Sequence, residues 1–203
     1  MNSCMYLRTA AGMLLLLLAA CGLPLQAQQQ PARDPYPPGY IVSARGDTTT
    51  GYVRSGNRFR DQQYIRFYDL YGARSKYHAD RIRAYGYEDR HYESMPTPYL
   101  FSGLFSDSSI FLLRKVQGPA CLFRFYTRRS ILTLKGKPAF IELIRKPDGS
   151  LHEAGSAFKW KRVADAFPDY PELADDIRNG LYKPSELSQI VEAYNRWYLR
   201  PRE

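Results

Sequence analysis

The chain has 203 residues, of which 44% are hydrophobic, and a net charge of +9 at neutral pH. This length suits one domain, or one domain with a small appendage, and the hydrophobic content argues against a disordered body. After residue 27 no apolar run approaches the ~20 residues that a membrane-spanning helix needs. The composition therefore indicates a basic globular protein.

Residues 1–27 carry the features of an export signal. A short basic region precedes an apolar run from Ala10 to Ala20 with five consecutive leucines, and small residues follow. Cleavage before Gln28 fits an ordinary signal peptidase, whereas cleavage before Cys21 fits lipidation of that cysteine, and the sequence leaves both open. We expect an exported protein of the periplasm, the outer membrane or the extracellular space, with membrane contact only through a lipid anchor at Cys21.

The next segments predict a linker and a β domain. Residues 28–38 are rich in glutamine and proline, which favours extended, solvated chain. From residue 39 to 155, alternating and apolar runs predict an antiparallel β domain. Turn residues at 45–47, 117–119 and 146–149 predict three hairpins. Strands at this spacing predict a meander that forms a roll, a barrel or a sandwich.

Residues 156–203 change to a helical period. Capping and stop residues predict about three helices, from Ser156 to Phe167, from Pro171 to Asn179 and from Pro184 to Tyr198. The last helix carries an apolar stripe, and this stripe predicts that the helices pack on the β domain. The predicted fold class is therefore α+β.

An arginine- and tyrosine-rich region is the best candidate for function. Eight tyrosines and eight arginines lie between Tyr52 and Tyr92. Tyrosine offers a flat face with a polar tip and arginine a planar donor fork, which together suit an anionic glycan, a lipid headgroup or an envelope protein. Strand alternation predicts these binding residues: Tyr64, Arg66, Tyr68, Arg81, Arg83, Tyr85 and Tyr87. The alternative interpretation is that these side chains simply coat the outer face of a sheet.

Catalysis has little support in the sequence. His78, His91 and His152 occur singly, without the spacing of a metal site. No serine elbow, phosphate-binding glycine loop or dinucleotide fingerprint is present. We therefore predict no catalytic residue, metal or cofactor, and no nucleic-acid partner for an exported protein. The alternative is a secreted hydrolase whose acid and base are brought together only by the fold.

Short motifs near both ends of the mature chain carry a resemblance. The motifs are Gly39-Tyr40-Ile41, Gly46-Asp47-Thr48, Asp169-Tyr170-Pro171-Glu172-Leu173 and Ile190-Val191-Glu192-Ala193-Tyr194-Asn195. With these motifs the chain resembles a group of secreted proteins of unknown function common in Bacteroidetes. The resemblance implies a secreted or envelope location in such a bacterium, and it implies no catalytic residues.

Overall fold

The computed structural model describes residues 36–97, 108–127, 140–154 and 157–201. The predicted signal segment with Cys21, and residues 28–35 of the predicted linker, lie outside the described residues. Within those ranges the chain forms a ten-stranded antiparallel sheet followed by helices, which confirms the coarse fold prediction. None of the helices in these ranges is long and apolar enough to cross a membrane.

The ten strands are β1 (Pro38–Ser43), β2 (Thr48–Arg54), β3 (Tyr64–Tyr68), β4 (Arg74–His78), β5 (Ile82–Tyr87), β6 (Arg90–Pro96), β7 (Ser109–Val116), β8 (Cys121–Tyr126), β9 (Phe140–Arg145) and β10 (Leu151–Glu153). Their order in the sheet is β10-β9-β8-β7-β6-β5-β1-β2-β3-β4. The sheet thus joins two meanders, β1 to β4 and β5 to β10, through the pairing of β1 with β5. The three predicted hairpins are confirmed as β1–β2, β7–β8 and β9–β10.

One face of the sheet closes around an aromatic core. Buried side chains from β1 to β3 and from β5 to β8 form a single cluster there. In this core the Tyr85 ring stacks on Tyr92 with 4.6 Å between centroids. A short 3₁₀ helix, Arg60–Gln62, connects β2 to β3. The Gln62 side chain donates to the Tyr126 carbonyl at 2.8 Å and accepts from the Tyr126 amide at 2.5 Å. The β2–β3 connection is therefore fixed to the end of β8.

The described residues contain two α-helices instead of the predicted three: α1 (Pro171–Arg178) and α2 (Leu187–Tyr198). Residues Ala157–Ala166, predicted as the first helix, form a 3₁₀ helix. The segment ends with the Phe167 amide donating to the Ala164 carbonyl, three residues back, as in 3₁₀ geometry. Pro168 follows directly and disfavours α-helical backbone at Phe167, so the segment ends there.

The apolar stripe of α2 packs on the sheet. Its four buried residues are Leu187, Ile190, Val191 and Tyr194, which share a cluster with β7, β8 and β9. Trp197 is half-buried, and its ring stacks on Tyr170 with 4.5 Å between centroids. Asn195 accepts from the Ala120 amide at 2.7 Å and donates to the Ala120 carbonyl at 2.9 Å. A side chain at Gly118 could not fit, because an added Cβ would lie 2.3 Å from the Asn195 amide nitrogen.

A buried lysine forms a second connection between sheet and helices. Lys146, in the turn after β9, is only 7% exposed, and its Nζ lies 2.6 Å from Oδ1 of Asp169. The same ammonium lies 3.9 Å from the centroid of the Tyr194 ring, and the Tyr194 hydroxyl donates to Asp169. Charge pairing and cation–π contact together hold α2 against the β9–β10 hairpin.

Candidate functional site

Three cations stand side by side on the outer face of β2, β3 and β4. The alternation in β3 buries Ile65 and Phe67 and turns Tyr64, Arg66 and Tyr68 to the opposite face. The register then sets Arg66 directly between Arg54 of β2 and Lys76 of β4. We call Arg54, Arg66 and Lys76 the cationic row. None of the three forms an ion pair with any described residue.

Aromatic rings hold the cationic row in place. The Lys76 Nζ lies 4.0 Å from the centroid of the Tyr64 ring, and Arg54 lies over Tyr36 at 5.5 Å. Tyr36 in turn stacks on Tyr68 with 5.1 Å between centroids. Within the described residues, the Nε atom of Arg66 is buried and has no hydrogen-bond partner. The face therefore presents ordered cations whose charge is not neutralised by the described residues.

The hairpin between β3 and β4 ends in an ordered apolar tip. The Asp69 carboxylate accepts hydrogen bonds from the amides of Tyr71 at 2.9 Å and Ala73 at 2.8 Å. Gly72 adopts a φ of +84°, a conformation that glycine tolerates best. This turn leaves Leu70 55% exposed and Tyr71 95% exposed. We call Leu70 and Tyr71 the hairpin tip.

The predicted binding residues of β5 do not join this face, and for two of them the expectation of an exposed face is wrong. Tyr85 and Tyr87 are 0% and 3% exposed. They lie on the inner face of the sheet, where their rings fill the aromatic core and the Tyr85 hydroxyl donates to the Asp61 carbonyl at 2.9 Å. Burial raises the pKa of Tyr85 well above its ordinary value. Strand alternation places Tyr85 and Tyr87 on the same face of β5, and that face packs in the core.

The two arginines near β5 are exposed but lie apart from the cationic row. Arg81 precedes β5, and its Nε lies 3.3 Å from the Asp80 carboxylate. Arg83 lines a pocket on another part of the sheet. The structure thus brings together Tyr64, Arg66 and Tyr68 of the seven predicted residues, and their role in binding stays a prediction. Sequence reasoning missed Arg54 and Lys76. Strand alternation in β2 and β4 was the available signal, because it places both side chains on the face that carries Arg66.

A second polar cluster lies on β1, β6, β7 and β9, on the face of the sheet opposite the aromatic core. The Tyr40 hydroxyl and His91 Nδ1 are 2.6 Å apart, and His91 Nε2 lies 3.7 Å from Glu93. Glu93 also pairs with Arg114, and its other oxygen lies 3.2 Å from Arg145. A pocket of about 560 Å³ opens beside His91 and Glu93. Sequence reasoning treated these residues singly and missed the cluster.

The ion pairs of this cluster hold Glu93 in its charged form. Burial alone would raise the pKa of Glu93, but the hydrogen bond with His91 and the charges of Arg145 and Arg114 lower it to about 2. Burial raises the pKa of Tyr40. Near neutral pH, Glu93 therefore remains ionised and cross-links strands through its ion pairs with Arg114 and Arg145.

Comparison of the chain with protein-family models, with curated proteins and with solved structures finds no match.

Proposed function

We propose that this chain is an exported, non-catalytic protein of the cell envelope that binds a phosphate-bearing anionic component through the outer face of β2, β3 and β4. The observation that carries the proposal is the cationic row, in which Arg66 stands directly between Arg54 and Lys76.

The energetics of the row support a role in binding. Like charges directly opposite each other on antiparallel strands destabilise a sheet. No described acidic residue offsets this cost by an ion pair with Arg54, Arg66 or Lys76. An anionic ligand would remove the repulsion and accept hydrogen bonds from the two guanidinium groups. Phosphate groups suit this arrangement because each offers several acceptor oxygens at a spacing that an arginine fork matches.

The binding test uses lipid-free teichoic acid, a soluble phosphate-bearing envelope polymer. The variant Arg66→Gln with Lys76→Gln should weaken binding at least tenfold, and binding of the unaltered protein should fall steeply with salt, because exposed charges are screened within ~8 Å at physiological ionic strength. The matched control, Arg196→Gln with Arg200→Gln, removes the same charge from exposed positions at the end of α2. Equal binding by the two double variants would overturn the proposal.

The location has its own test. Mass spectrometry of the protein isolated from cells should find an N-terminus at Gln28 or a lipidated Cys21. An intact Met1 on cell-derived protein would contradict export.

A further inference from the structure

We infer that the β3–β4 hairpin docks on the surface of an anionic lipid membrane, with the hairpin tip in the headgroup region. This inference rests on the proposed function and specifies its anion as lipid phosphate. It gives the protein a membrane contact that does not depend on whether Cys21 is lipidated.

Hydrogen bonds within the turn hold the hairpin tip in an exposed conformation. Asp69 accepts two amide hydrogen bonds within the turn, and the Asp69 amide itself donates to the Ala73 carbonyl at 3.1 Å. These bonds fix the backbone that carries Leu70 and Tyr71, so both side chains project from an ordered turn. A leucine beside a tyrosine is a pairing suited to a membrane interface, where tyrosine places its ring near the acyl chains and its hydroxyl among the headgroups.

Cations follow the tip at the depth where phosphates would lie. Arg74 is exposed and stands directly opposite Tyr68, at the start of the turn. Lys76 and Arg66 lie two residues further along their strands, which is about 7 Å in an extended strand. Within the described residues, Arg74 also has no ion pair. The one acidic side chain of the turn, Asp69, is engaged by backbone amides.

An apolar tip followed by a band of cations fits a membrane surface better than it fits a soluble polymer. A hydrated glycan would account for the cations but gains nothing from an exposed leucine at the tip. A lipid surface accounts for both, because apolar burial and attraction to anionic headgroups add together in interfacial binding.

The test measures co-sedimentation with vesicles of phosphatidylethanolamine and phosphatidylglycerol, with each protein in the unlipidated form that begins at Gln28. The tip variant, Leu70→Ser with Tyr71→Ser, should bind these vesicles at least tenfold more weakly than the unaltered protein. The matched control, Leu181→Ser with Leu199→Ser, changes two leucines that are each 69% exposed elsewhere and should bind normally. Vesicles of phosphatidylcholine alone should bind none of the proteins.

The outcomes separate this inference from the proposed function. The tip variant should still bind lipid-free teichoic acid, whereas the Arg66→Gln, Lys76→Gln variant should lose both ligands. Undiminished vesicle binding by the tip variant, or no vesicle binding by the unaltered protein, would overturn the membrane inference alone. Equal teichoic acid binding by the row variant and its charge control would overturn the proposed function.

A fluorescence measurement adds an independent readout. The tryptophan emission of the Tyr71→Trp variant should shift to shorter wavelength when the anionic vesicles are added. The emission of the unaltered protein, whose tryptophans are Trp160 and Trp197, should not shift. An unshifted spectrum on vesicle-bound Tyr71→Trp protein would show that the tip stays in water.

Discussion

The Tyr40 hydroxyl and the Nδ1 atom of His91 lie 2.6 Å apart, although the two residues belong to β1 and β6 and β5 runs between them. The contact crosses β5 at Gly86, which pairs with Tyr40 on one side and with His91 on the other. A Cβ added at Gly86 would lie 2.6 Å from three atoms of the Tyr40 side chain. The absence of a side chain at residue 86 is therefore what lets Tyr40 reach across the strand.

We predict that Gly86→Ala lowers the free energy of unfolding by about 1–3 kcal/mol, the usual cost of overpacking. Urea unfolding measures this loss. In a Tyr40→Ala background the ring is absent, so the same substitution should cost much less. If Gly86→Ala costs the same in both backgrounds, contact with Tyr40 is not the cause.

The Glu93 ion pairs predict a specific pH dependence. The folded-state pKa of Glu93, about 2, lies below its ordinary value of 4.5. Its contribution to stability is therefore complete above about pH 4.5 and is lost as the pH falls toward 2. Glu93→Gln should be less stable than the unaltered protein at neutral pH, and the gap should narrow as the pH falls through this window. Urea unfolding across the window measures the gap. Glu192→Gln, at an exposed position of α2, should give no such change, and a constant gap for Glu93→Gln would contradict the prediction.

The Lys146–Asp169 pair joins a buried ammonium, 7% exposed, to a carboxylate that is 40% exposed. Asp169→Asn removes the counter-charge of the buried Lys146 ammonium, and because solvent reaches Asp169 we expect a loss of about 1–3 kcal/mol. Adding Lys146→Met should restore much of the lost stability, since no buried charge then remains. The exposed pair of Arg178 and Asp175 is the comparison: Asp175→Asn should cost about 0–1 kcal/mol. Similar losses for the two Asp→Asn variants in urea unfolding would refute the distinction.

Local chemistry made much of the fold predictable. The turns at 45–47, 117–119 and 146–149 were predicted because Gly, Pro and Asp favour turns whatever the rest of the chain does. The extent of the 157–166 segment was also predicted, but not its 3₁₀ form. Neither the strand order nor the pairing of β1 with β5 follows from local signals, because both depend on contacts between distant segments.

The candidate site was predictable only where one face was plainly apolar. In β3, Ile65 and Phe67 mark the core face, so Tyr64, Arg66 and Tyr68 were correctly set on the other. In β5 the residues that alternate with the two tyrosines, Ala84 and Gly86, are small, and the large tyrosines fill the core instead. Polarity suggested the outside for Tyr85, but the volume needed to fill the core decided the inside. The contact of Tyr40 with His91 spans 51 residues and left no local signal.

Both ends of β8 are held by side-chain amides that imitate a neighbouring strand. Gln62 pairs with the backbone of Tyr126 across 64 residues of sequence, and Asn195 pairs with that of Ala120 across 75. Contacts of such separation are slow to form, because a long loop must close before they add stability. The contacts of Asn195 with Ala120, next to the start of β8, can form only after residue 195 has been made. We therefore expect the sheet to reach its native state only after synthesis has passed α2. Until then the chain stays incompletely folded, and accessible to chaperones and export factors, for longer than a protein built from local contacts.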